Sequence, residues 1–134
     1  MKSLGLSAVI AVAFILLPTA ILPASAATFL GGTNAWTLVG QPAVKTLNGN
    51  PTAEANYQNN LNETTLGIVF LVAYNSLHQT VYFTAGTTNV AAGANSTAFL
   101  PIFGLQSGTY SVTIFSSLPS GTAISLPTTI TVSI

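Results

Sequence analysis

An all-β sandwich of about seven strands is the fold this sequence predicts, and three observations predict it. Beyond residue 26 the apolar residues recur with period two, the spacing of half-buried strands, rather than 3.6. Gly, Pro and Asn punctuate these runs at short intervals, as they do in sandwiches built from hairpins. Composition is the third: 49% of the 134 residues are hydrophobic and 3% are charged. A disordered chain has the opposite balance, low hydrophobicity with high charge.

The first element in order is a cleavable apolar helix. Met1 to Ala26 has the layout of a secretory signal peptide. Lys2 supplies the positive start, Leu4 to Leu22 is apolar and broken by Pro18, and Pro23 ends any helix. Ala24-Ser25-Ala26 then offers the small residues a signal peptidase takes. The mature chain is therefore expected to begin at Ala27 and to work outside the cell, meeting the membrane only during export. A retained anchor is the rival reading, since the run approaches the length that spans a bilayer; Pro18 and the small-residue site favour cleavage. Gly5-Leu6-Ser7-Ala8-Val9-Ile10 also resembles the processing region of archaeal type IV pilins, which keep the apolar helix for filament assembly. Leu4 stands where those sites usually carry a basic residue.

Residues 27–47 read as an N-terminal arm. Ala27-Thr28-Phe29-Leu30 is strand-prone and apolar, Gly31-Gly32 forms a flexible tether, and Trp36 to Val39 and Ala43 to Leu47 make two short strands around Gly40-Gln41-Pro42. This arm has two uses. It is either the first strand of its own sandwich or a donor strand that fills a neighbour's groove through Phe29, Leu30, Trp36 and Leu38. Burying three or four such side chains at roughly 1.5–3 kcal/mol each gives on the order of 5–12 kcal/mol per junction.

The sandwich proper is expected over 48–134. Asn48 to Glu63 carries six of the chain's ten Asn and reads as an extended surface loop, or one hiding a short helix around Ala53 to Gln58. Leu66 to Tyr74 is a continuous apolar run, expected as a central strand buried on both faces. Thr80 to Ala85 is its hairpin partner. Thr97 to Ile102 is a further strand, pushed towards an edge or a bulge by Pro101. Tyr110 to Ile114 and Thr128 to Ile134 alternate apolar residues with hydroxyls. Before the first of these, Leu105, Gly108 and Tyr110 have the spacing of a tyrosine corner, in which the hydroxyl bonds back to upstream backbone. That pattern makes the expected sandwich immunoglobulin-like; the alternative is a plain turn with Gly108 at positive φ.

The chain has no Cys, no Asp and no Arg. Disulfides, zinc-thiolate sites and iron–sulfur clusters are excluded. Lys2 and Lys45 are the only side-chain cations, so no basic surface for nucleic acid can form. His78 has no Asp to orient it and lies in a turn, while Glu54 and Glu63 fall in the polar stretch; neither a triad nor a carboxylate pair is in prospect. No enzyme activity, metal or cofactor is expected. Asn62-Glu63-Thr64 and Asn95-Ser96-Thr97 are acceptors for N-linked glycans, which would solubilise a surface this poor in charge.

Several segments together resemble secreted immunoglobulin-like domains of thermoacidophilic archaea: Asn75-Ser76-Leu77 with Gln79-Thr80-Val81, Val90-Ala91-Ala92-Gly93, and Phe103-Gly104-Leu105 with Ser107-Gly108-Thr109-Tyr110. The chain is similar in plan to the glycosylated subunits of the archaeal thread, a filament joined by donor-strand complementation. The likeness covers roughly Leu66 to Ile134. It implies a donor strand at about Ala27 to Val39, glycans on Asn62 and Asn95, and a homopolymer on the cell surface. Two other readings stay open: a type IV pilin-like subunit that retains its helix, and a monomeric surface-layer or adhesion module.

Overall fold

The computed structural model describes residues 34–134; the expected signal helix, Phe29 and Leu30 lie outside them. The described chain is all-β, with eight strands in two antiparallel sheets: β1 (Trp36–Leu38), β2 (Ala43–Leu47), β3 (Asn50–Asn59), β4 (Thr65–Tyr74), β5 (Thr80–Val90), β6 (Asn95–Pro101), β7 (Thr109–Ser117) and β8 (Thr128–Ser133). In the first sheet β3 is central. β6 pairs along one edge of it, while β1 and β2 share the other end to end, β1 against Tyr57–Asn59 and β2 against Asn50–Glu54. The second sheet runs β5-β4-β7-β8.

Alternation builds the core. Ala53, Ala55 and Tyr57 of β3, with Ala98 and Leu100 of β6 beside them, face Val69, Leu71 and Ala73 of β4 and Val112 and Ile114 of β7 across one buried layer. Trp36 is the largest member, 1% exposed and tilted against Tyr57 with ring centroids 5.6 Å apart. Room for its indole comes from Gly67. A Cβ there would lie 2.3 Å from the Trp36 ring, closer than any atoms tolerate.

Four expectations need correction. The polar stretch 48–63 is neither loop nor helix but mostly β3, the centre of a sheet. Its inward positions are Ala53, Ala55, Tyr57 and Asn59, of which Tyr57 alone favours strands, so the period two is hidden from a hydrophobic reading. Asn48 (φ 50°) and Gly49 (φ 81°) form the two-residue turn that joins β2 to β3, the Asn-Gly hairpin pattern that right-twisted strands favour. Second, β4 is buried on one face only; its outward row is half exposed. Third, β5 continues past Ala85 to Val90, paired with β4 throughout. Fourth, β1 and β2 belong to the sandwich through β3 rather than to a separate arm. Pro101, as expected, closes an edge strand, β6.

Among the described residues the buried polar side-chain atoms are tied down, with the exception of Trp36 Nε1, which has no partner. Asn59 is fully buried; its amide donates to the Glu63 carbonyl (2.8 Å) and the Val90 carbonyl (2.9 Å), and its oxygen accepts from Leu61 N–H (2.9 Å). One side chain thereby fastens the β3–β4 loop to the end of β5. At the other end Asn75 does similar work in the β4–β5 turn, accepting from the N–H groups of Leu77 and Gln79 at 3.0 Å.

Candidate functional site

Two facts position the site: where the chain enters and leaves, and which part of the lateral seam is closed. Ala35 accepts from Asn60 N–H, so the described chain enters beside the β3–β4 loop. It ends at Ile134, which exchanges both backbone bonds with Gly108 at the opposite end, beside the start of β7. Entry and exit are at opposite poles.

The seam between the sheets runs along β1/β2 on one side and β7/β8 on the other. In the half near the entry it is closed by backbone: Trp36 N–H donates to Ile124 O (2.8 Å), and Ile124 N–H donates to Ser116 O of β7 (3.0 Å). Under this closure Ser116 and Ser125 share a buried hydroxyl bond of 2.8 Å. Burial pushes the nearby Tyr57 phenol above its ordinary value of 10, and hydrogen bonds with Ser125 and Ser116 offset part of that rise.

In the other half no backbone bond joins β2 to β8 among the described residues. An open groove of about 420 Å³ lies there, between Gln41–Val44 and Thr129–Ser133. Val44, Ile130 and Val132 pack from it onto the core. The hydrogen-bond phase of β8 follows from the Gly108–Ile134 exchange. Antiparallel pairs alternate, so Ile134, Val132 and Ile130 bond towards β7. The N–H and C=O groups of Thr129, Thr131 and Ser133 point the other way, into the groove. The site is therefore strand-shaped: a free ladder edge beside a partly covered apolar floor.

The residues singled out from sequence are distributed as follows. Trp36 and Leu38, expected in a donor strand, sit in β1 and pair with β3 of their own chain; Trp36 is held there by the pocket at Gly67. Asn62 and Asn95 are both exposed, in the β3–β4 loop and at the start of β6. The Thr65–Val90 pairing and the Gln58–Asn95 pairing put these two acceptors at the entry pole. The Tyr110 hydroxyl donates to the Gln106 carbonyl at 2.8 Å, and Leu105 packs on the core. Gly108 is not at positive φ; Gly104 is, at 73°. A Cβ on Gly108 would instead touch the Tyr110 hydroxyl at 3.4 Å and its ring at 3.5 Å.

His78 is exposed in the β4–β5 turn, and Glu63 lies beyond the other end of β4. The length of that strand, roughly 30 Å, separates them. Glu54 is paired with Lys45 on the outer face of the first sheet. The fold brings none of the three together. Two residues that position the site, Asn59 and Gly67, were not evident from sequence; the Asn48-Gly49 pair was the one local signal that β3 follows.

No protein-family description matches the chain, and no curated protein matches it. Among solved structures it is similar to part of a β-glucosidase from Streptomyces venezuelae crystallised with D-glucose, with a TM-score of 0.51 and 13% identity. The alignment covers 74% of this chain and 15% of that one. At that identity the likeness is one of fold.

Proposed function

We propose that this protein is the structural subunit of an extracellular filament, assembled head to tail when the N-terminal arm of one copy completes the open seam of the next. The half-open seam carries the reading. The entry half is closed by β1 and Ile124, whereas the other half presents the free edge of β8 over Val44, Ile130 and Val132. The described chain begins at one pole and the groove lies towards the other, an arrangement in which an arm donated to a neighbour links copies head to tail. A heterologous contact that does not close on itself generates a fibre. The added strand would pair along an exposed sheet edge, the mode known as β-augmentation.

With Trp36 and Leu38 retained in β1, the donated segment is Ala27 to Leu30, with Phe29 and Leu30 as its large side chains and Gly31-Gly32 as the hinge. Alternation turns one of the two onto the apolar floor, and its burial stabilises a junction by about 1.5–3 kcal/mol; ladder bonds to Thr129, Thr131 and Ser133 add about 0.5–1.5 kcal/mol each. The connectivity supports an immunoglobulin-like sandwich, with three rows against four and a tyrosine bonded back at the corner that leads into β7. Signal cleavage, location at the cell surface and glycans on Asn62 and Asn95 belong to the same reading. The work is done by shape and self-contact, without catalysis.

Electron microscopy of the secreted protein tests it. Filaments are expected from the full chain and none from a chain lacking Ala27 to Gly32; filaments of unchanged length from the truncated chain would refute the donor role. N-terminal sequencing of the filament should begin at Ala27, and a start at Leu6 would substitute a retained pilin-type helix.

A further inference from the structure

The outward faces of the two sheets differ in kind. The first sheet turns out Lys45, Glu54, Asn56, Gln58 and Thr97, with Leu47 and Phe99 as the large apolar side chains among them. The second turns out Leu66, Ile68, Phe70 and Val72 from β4, Val81 and Phe83 from β5, and Phe115 from β7. Phe115 stacks on Phe70 with centroids 5.1 Å apart, and Phe83 leans on Phe70 from the other side at 6.0 Å. Phe83 is 58% exposed and Leu66 47%. No charged or titratable side chain lies on this face among the described residues, apart from Tyr74 at its rim; the β7–β8 side is lined with hydroxyls, Thr113 bonded to Thr129 at 2.8 Å. Nor do the two sequons cover it. Asn62 is in the β3–β4 loop and Asn95 on the other sheet.

We infer that this face is a self-association surface, and that its occupant is the same face of a second copy. Charge decides between occupants. A membrane-binding surface needs a cationic fringe, and Lys45 is on the opposite sheet. Two charge-free faces desolvate no ion when they meet, and a two-fold axis lays one apolar row on the other at the separation of packed sheets, about 10 Å. Extent decides the strength. From Leu66 to Val72 across three strands the apolar area is roughly 20 Å by 10–14 Å, so one pair of faces falls below the ~1,200 Å² typical of stable complexes. A single pair is therefore weak. Repeated along a filament the contacts act together, so the face joins filaments side by side; that consequence rests on the filament reading, whereas the pairwise contact does not.

The full chain tests both parts. Sedimentation of the wild type should show concentration-dependent self-association in the unpolymerised fraction, and microscopy should show laterally paired filaments. Phe83→Asp should weaken the association at least tenfold and leave single filaments, with an unchanged melting temperature showing that the fold is intact. Phe99→Asp, equally exposed on the other sheet, should change neither. Association that Phe83→Asp leaves untouched, or a wild type that stays monomeric at the highest attainable concentration, overturns the inference. Absence of filaments with Phe83-dependent dimers would overturn the filament reading alone.

Discussion

Replacing Gly67 by Ala adds one methyl group where the structure has no room for it. The new Cβ would lie 2.3 Å from Cη2, 2.6 Å from Cζ3 and 3.0 Å from Cζ2 of Trp36. Elsewhere in a strand this substitution would stabilise, by about 0.4–1 kcal/mol through the unfolded chain. Here the indole must retreat by more than 1 Å, and it is walled by Tyr57 and the rest of the core. Overpacking of that kind costs about 1–3 kcal/mol when the ring can yield, and about 3–5 kcal/mol when the side chain is expelled. A loss near 3 kcal/mol is expected, which for a domain of this size lowers the melting temperature by roughly 12–24 °C. Circular dichroism gives the melting point. Trp36 is the only tryptophan, so its fluorescence independently reports a red shift as the ring leaves the core. Trp36→Leu in the Gly67→Ala background should recover part of the loss. A melting point within 3 °C of wild type with unchanged emission would refute the reasoning, and with it the placement of β1 in its own chain.

Other outcomes follow from the same structure. Asn59→Ala strands the carbonyls of Glu63 and Val90 and the N–H of Leu61, so denaturant titration should show a loss of about 3 kcal/mol. Tyr110→Phe removes one 2.8 Å bond to Gln106; a loss of about 1 kcal/mol is expected, with faster amide exchange confined to the β6–β7 loop. Stability should vary little between neutral pH and pH 3, because only two carboxylates are present. It should fall above pH 10, where the unfolded chain releases the Tyr57 proton that the folded chain retains. Melting curves across that range check the sign, and Tyr57→Phe should flatten the alkaline limb. Intact mass of the secreted protein should exceed that of the bare chain, with the excess lost on Asn62→Gln and Asn95→Gln together.

What could be read from sequence was whatever alternation of large apolar residues controls. β4, β7 and β8 announce themselves through Leu71, Ile114 and Val132, and the corner through Tyr110. β3 stayed hidden because its inward side chains are two alanines, a tyrosine and an asparagine. Their place in the core is set by partners far along the chain, Val90 for Asn59 and Ser125 for Tyr57. The apolar run of β4 was legible as a central strand, but a sequence cannot distinguish a face covered within the domain from one left for another molecule. The groove was illegible for a related reason. It exists because β1 reaches Ile124 while β2 does not reach β8, a matter of how three-residue and five-residue strands divide one edge of β3.

The claim that one copy's arm occupies the next copy's seam is open to a direct covalent test, since the chain has no cysteine to interfere. Thr131 carries its side chain on the outer face of β8, and consecutive strand residues face opposite ways, so Thr131→Cys is paired with Phe29→Cys and, separately, with Leu30→Cys. Oxidised in assembled material and run without reductant, one of the two pairs should give a ladder of dimers, trimers and higher multiples that collapses on reduction. A single monomeric band from both pairs, whether the cysteines are free or joined within one chain, would contradict the account.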